Sequence, residues 1–250
     1  MTGFDIELAG QTLNVGCRYR LTAAYLDPFR VGEYRKEEEN APAIFASDSD
    51  IERFKMINRV TELNRGEQPR AHAEWFFETQ ALHEQIAREL VTRGVLLVHG
   101  SAVVTGGRAY LFIAPTRTGK STHTRLWLEL LGSDAYIVND DKQLLYPTDS
   151  GVLTYASPWG VVPKPDPDHA PVAAIVLLSR GSTDVIRPAE RSKMLPALMK
   201  ASLRGKDAAE TTAILDLQDK VLSSVKLYEL QCTPTPHAAE VAIEALTKDS

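Results

Sequence analysis

The sequence predicts an α/β protein with a mixed β-sheet, and three observations carry that expectation. An eight-residue pattern, Ala114-Pro115-Thr116-Arg117-Thr118-Gly119-Lys120-Ser121, fits the phosphate loop in its relaxed form, with Ala in place of the first Gly. The turn Thr105-Gly106-Gly107-Arg108 just ahead of it makes the strand that feeds the loop antiparallel to the strand before. The run from Val172 to Leu178 is continuously apolar, as a strand buried on both faces would be. Together these place a nucleotide-binding core over residues 95–250, behind an amino-terminal α/β part over residues 1–94.

Taken in order, residues 4–15 alternate, with Phe4, Ile6 and Leu8 on one face and Leu13 and Val15 resuming after Ala9-Gly10-Gln11, which reads as a β-hairpin. Arg35-Lys36-Glu37-Glu38-Glu39-Asn40 is a solvated charge run, a loop or a sheet edge, and Ala43-Ile44-Phe45 reads as a short strand. Ser47 to Asp50 offer caps for a helix carrying Ile51, Phe54, Ile57 and Val60. A second helix is expected from about Ala71 to Arg93, with Phe76, Leu82, Ile86 and Leu90 inward and Gly94 as its stop. Its aromatic group Trp75-Phe76-Phe77 reads as a helix-docking cluster rather than a ligand platform.

From Val95 the chain becomes strand-like: Val95 to His99, Ala102 to Val104, then Ala109 to Ile113 leading into the loop. Thr122 to Leu131 has helical spacing and stops at Gly132. Ala135 to Val138 is a short strand ending at Asn139-Asp140-Asp141, and Gln143 to Tyr146 with Val152 to Tyr155 form another hairpin. Ser157-Pro158-Trp159-Gly160 opens a Pro-rich loop that either shapes a pocket or is a plain connection. Beyond the buried strand, Pro188 is expected to start a helix carrying Met194, Leu195, Leu198 and Met199 and bent at Pro196. Arg204-Gly205-Lys206 is a basic loop that either touches phosphate or, as the preferred reading, faces water, Ala208 to Ser224 an amphipathic helix, Val225 to Leu230 a strand, and Thr235-Pro236 the start of a last helix.

Composition narrows the partners. An apolar share of 44% and a charged share of 24% are ordinary for a soluble globular chain of 250 residues. The net charge of −5 gives no support to a nucleic-acid surface. Cys17 and Cys232 stand far apart in no metal-like spacing, the usage of a reducing cytoplasm. No secretory signal is visible, and no apolar run approaches the ~20 residues of a membrane helix. The expected protein is cytoplasmic, without a membrane or nucleic-acid partner; whether it forms a homo-oligomer stays open.

The loop's chemistry follows from its residue types. Backbone N–H groups around Thr116, Arg117, Thr118, Gly119 and Lys120, together with the positive helix end at Ser121 and Thr122, can grip a triphosphate. Lys120 would reach the β- and γ-phosphates of ATP, and the Ser121 hydroxyl would ligate Mg²⁺. Asp140 and Asp141, delivered by a strand some twenty residues after Lys120, lie where the metal and an attacking hydroxyl must be.

With Leu97-Val98-His99-Gly100-Ser101-Ala102, Ala114 to Ser121 and Val138-Asn139-Asp140-Asp141 in hand, the chain resembles the HPr kinase/phosphorylase family, whose fold is shared with ATP-dependent phosphoenolpyruvate carboxykinase. The resemblance covers residues 95–146 and, more loosely, the elements as far as Leu246. It implies that His99 positions the γ-phosphate or orients a carboxylate, that one of the paired aspartates, Asp140 in the first place, is the base for the acceptor hydroxyl, and that Asp141 then assists with Mg²⁺. Ala114 departs from the family's first Gly, and no counterpart of the long amino-terminal domain or of the HPr-engaging segment is visible, so neither HPr as substrate nor phosphorylase activity is implied. Small relatives look like stand-alone kinases, some of which phosphorylate a lasso-peptide precursor. The expected activity is therefore transfer of the ATP γ-phosphoryl group to a hydroxyl, a serine of a protein or peptide in the first place. The alternatives are a small-molecule hydroxyl kinase and a nucleotide-binding regulatory module without transfer.

Overall fold

In the computed structural model of the chain, residues 2–33 and 43–248 are described; the charge run Arg35–Asn40 lies outside them. The chain divides into two compact units, Met1–Glu89 and Leu90–Ser250.

The first unit opens with β1 (Thr2–Leu8) and β2 (Gln11–Cys17), an antiparallel hairpin whose turn puts Ala9 and Gly10 at positive φ. Phe4, Ile6, Leu8, Leu13 and Val15 are all buried, as their alternation predicts. A helix that the sequence does not announce follows, α1 (Arg20–Leu26). Its N-cap Tyr19 supplies no capping side chain. The free N–H groups of Arg18 and Tyr19 donate instead to the buried carboxylate of Glu78, at 2.6 and 3.2 Å. An anion from a distant helix thus does the work of a local cap.

β3 (Ile44–Phe45) pairs in parallel with β2. α2 (Asp48–Asn64) begins with a capping box between Ser47 and Asp50. Of its expected apolar residues Ile51 is buried, but Ile57 and Val60 stay nearly half exposed, at 45% and 46%. The reason is geometric: a strict three-residue spacing drifts by about 60° per step, so Val60 ends opposite Ile51. α3 (Glu74–Thr92) starts three residues later than expected and buries Leu82, Ile86 and Leu90. Trp75, Phe76 and Phe77 pack with Tyr25, with His72 and with one another, a structural cluster.

The second unit is built on an eight-stranded mixed sheet. β4 (Leu96–Thr105) and β5 (Arg108–Ile113) are antiparallel across the Gly106-Gly107 turn. α4 (Lys120–Leu131) follows the loop and leads to β6 (Ala135–Asn139). β7 (Lys142–Thr148) and β8 (Gly151–Tyr155) form the expected hairpin. β9 (His169–Arg180) is parallel to β5, and its buried residues, among them Val172, Ala174, Ile175, Val176 and Leu178, mark it as central. β4 is shared along its length: Leu96 to His99 pair with β7, and Ala102 to Thr105 with β6.

The expected helix start at Pro188 is corrected by the structure. Pro188 ends β10 (Val185–Pro188), at the margin of the sheet, where a missing N–H leaves no bond unmade on the open side. α5 (Arg191–Ala201) begins after Glu190 and contains Pro196. α6 (Ala208–Ser224) is capped by Asp207 and buries Ile214, Leu217, Val221 and Leu222. β11 (Lys226–Cys232) lies between β9 and β10, and α7 (Pro236–Thr247) packs on α4. Among the described residues no helix is long and apolar enough to cross a membrane.

Candidate functional site

The loop Ala114–Gly119 joins the carboxyl end of β5 to α4, which starts at Lys120. Two residues hold its shape through unusual backbone angles: Gly119 at φ 121° and Arg117 at φ 66°. Only Gly meets the first without strain, which accounts for the Gly before Lys in the motif. Ala114 is not among the positive-φ residues, so this position accepts a side chain where the strict motif has Gly. Thr118 folds the turn by donating from both N–H and Oγ1 to Pro115 O, at 3.2 and 2.7 Å. From β9, Arg180 Nε donates to Thr118 O at 3.1 Å and its Nη2 to Arg117 O, so the strained residue is held from a neighbouring strand.

Lys120 is buried, and its Nζ turns back along the loop to donate to Ala114 O at 3.1 Å. Burial holds this ammonium below the ordinary lysine range; Asp141 opposes the effect and Lys142 adds to it. Two lysine charges therefore share one site, an arrangement that favours an anion between them.

Strand pairing assembles the rest. His99 and Asp141 are far apart in sequence, and the structure joins them: Gly100 N–H donates to Asp141 O at 2.9 Å, and His99 Nε2 comes within 3.0 Å of Asp141 Oδ1. His99 lies opposite Lys142 in the β4–β7 register, which puts both side chains on one face. Gly100 is needed here because a Cβ would meet Leu111 Cδ1 at 2.6 Å and Phe112 O at 3.0 Å. Asn139 stabilises the turn after β6, accepting at Oδ1 from the N–H groups of Asp141 and Lys142, both at 2.9 Å.

The Pro-rich loop closes on the turn that carries Asp140. Asn139 Nδ2 donates to Ser157 O at 2.9 Å, Ser157 Oγ donates to Lys142 O at 2.7 Å, and Val161 N–H donates to Asp140 Oδ1 at 2.9 Å. A Cβ on Gly160 would lie 2.9 Å from that same carboxylate oxygen.

Thr122 and Ser121 stand exposed on the first turn of α4. One turn on, His123 is buried against Phe112, and its Nε2 accepts from Trp127 Nε1 at 3.2 Å. Burial pushes it down to about 4, with Asp184 opposing, so the ring is neutral near pH 7 and its proton sits on Nδ1. His123, Leu126 and Leu178 line a cavity of about 350 Å³ that Thr118, Gly119 and Thr122 border. Neither thiol belongs to the loop: burial pushes Cys17 up to about 12 and raises Cys232 as well, and both stay protonated.

The loop, Lys120, His99 and the two aspartates thus lie at one end of the second unit's sheet. Arg180, Lys142, Gly160 and His123 were not singled out in the sequence. Of these only Arg180 carries a usable signal, an arginine at the carboxyl end of a buried strand beside the loop's strand.

Among the described residues no group of three or more His, Cys, Asp or Glu could hold a metal unaided.

No protein-family model matches this chain, and no curated protein is similar to it in sequence. Among solved structures it is similar to the Hpr(Ser) kinase/phosphatase from Coxiella burnetii, with 12% identity over 61% of this chain and 94% of that one, at a TM-score of 0.36, a distant likeness of fold.

Proposed function

We propose that this chain is a Mg-ATP-dependent kinase that transfers the γ-phosphoryl group to a hydroxyl, a serine of a protein or peptide in the first place. The observation that supports the reading is the meeting of Asp141, paired with His99, and the Lys120 ammonium at the phosphate loop, with Asp140 next in the chain and bonded to the Pro-rich loop. A module that only bound nucleotide would need the loop and Lys120, but not a carboxylate aimed by a second loop.

The triphosphate would run along the loop from the cavity beside Thr118 and Thr122, which takes the nucleoside, toward Ala114 and the Lys120 ammonium. Loop N–H groups and the start of α4 bind the phosphate oxygens, and Lys120 and Lys142 offset charge on the β- and γ-groups. Mg²⁺, when bound through Ser121 and Asp141, would supply further charge neutralisation. Asp140 orients the acceptor hydroxyl and takes its proton as the new O–P bond forms and the bond from the γ-phosphorus to the bridging oxygen breaks, releasing ADP. His99 keeps Asp141 in position.

Calorimetric titration of Mg-ATP tests the foundation. Binding in the range of about 1 μM to 1 mM is expected, and it should weaken when EDTA removes the metal; no binding at several millimolar would overturn the reading.

Gly160→Ala tests the aim of Asp140. The added methyl would press within 2.9 Å of its carboxylate and 2.8 Å of Asn139 Oδ1, which fixes the same turn. Transfer should fall roughly 10–100-fold, the scale of a displaced reacting group. Unchanged transfer would show that the loop does not set the aspartate's position.

A further inference from the structure

Resting on that reading, we propose that the cavity on the γ-phosphate side of the loop binds the acceptor and selects an acidic serine peptide, one with carboxylates flanking the hydroxyl. The cavity is about 340 Å³, within the range of built ligand sites. Ala114 and His99 border it on one side, and α5 forms the other. Since Lys120 Nζ bonds to Ala114 O, this space begins where the loop lysine ends, across the loop from the cavity assigned to the nucleoside. The bridge between Val98 and Ser202 holds the carboxyl end of α5 against the strand that bears His99.

The wall facing His99 is cationic. Lys193 and Lys200 stand seven residues apart, hence on one face of α5, with Pro196 and Ala197 between them. The short side chains leave depth, and the ammonium groups mark its two ends. No carboxylate lines the cavity. Lys193 is paired with Glu229. Among the described residues Lys200 makes no ion pair, and it is exposed. Asp141, the acid next to His99, is already bonded to it. A peptide with acidic flanks would meet Lys200 as its hydroxyl reached the loop at Ala114; a neutral one gains nothing there, and a basic one is repelled.

The test uses the full chain without nucleotide. Fluorescence anisotropy compares a labelled serine octapeptide flanked by Asp with its Asn counterpart, on wild type, Lys200→Glu and Lys206→Glu. The Lys206 variant makes the same charge change in the basic loop outside the cavity. Wild type should bind the Asp peptide about fivefold more tightly, the upper end for an exposed ion pair, and less so at high salt. Lys200→Glu should erase that preference and Lys206→Glu keep it. Equal affinities in wild type, no binding of either peptide, a preference surviving Lys200→Glu, or equal loss in both variants would each overturn the proposal. Mg-ATP titration on the same samples separates the two readings. If Mg-ATP binds and the peptides are not distinguished, the acceptor assignment falls alone; if the Asp preference holds without Mg-ATP binding, the kinase reading falls.

Discussion

Lys120→Met should weaken Mg-ATP binding by about 10- to 100-fold, the worth of a charge-assisted hydrogen bond to phosphate, and reduce transfer by at least as much. The same variant should melt higher than wild type at pH 7. Both effects have one cause: the ammonium is buried at the loop, with the carbonyl of Ala114 as its bonded partner. Its folded-state affinity for a proton is lowered, so in the unfolded chain it binds that proton more tightly. The destabilisation is therefore full below the folded-state value and is relieved as pH rises from there toward the unfolded lysine value. The gain from Met is expected to be of order 1 kcal/mol, a few degrees in melting temperature, and to shrink between pH 7 and pH 10.5. Thermal melts at the two pH values, beside calorimetry, check it. Equal Mg-ATP affinity in variant and wild type would remove Lys120 from the phosphate site.

What could be read from the sequence was whatever the chain writes locally. The phosphate loop needs Gly119 for its backbone and Lys120 for its charge, with six residues between that lysine and the strand that delivers it, so strand, loop and helix are legible together. Asp140 and Asp141 are legible for the same reason, as acids at a strand's end. Ser47 and Asp50 cap α2 from within its own first turn. Illegible features have their cause elsewhere in the chain. α1 is capped by Glu78, some sixty positions away. Arg180 and Lys142 join the site only through strand pairings, and Gly160 matters because Asn139 and Asp140 fold against it. Pro188 misled because a proline that starts a helix and one that ends a marginal strand look alike until the sheet order is known.

Asp140→Asn is expected to lower the rate of transfer by about 10²- to 10⁴-fold while leaving Mg-ATP affinity within about threefold. The two aspartates are not equivalent in their bonding. Asp141 Oδ1 lies 3.0 Å from His99 Nε2, and Asp141 is the acid whose field opposes the lowering of Lys120. Asp140 Oδ1 accepts from Val161 N–H, which aims the group, and its other oxygen makes no hydrogen bond among the described residues. Asn keeps the acceptor oxygen for Val161 and the side chain's shape, but its amide cannot take a proton. Asp141→Asn should act differently, weakening Mg-ATP binding because it loosens His99 and removes a negative oxygen from the metal's reach. Paired calorimetry and initial-rate measurements on the two variants distinguish the roles. If Asp141→Asn lost transfer at unchanged affinity and Asp140→Asn lost affinity, the base would be Asp141. The Pro-rich loop would then be holding the metal's carboxylate, because Val161 and Gly160 contact Asp140 whichever role it plays.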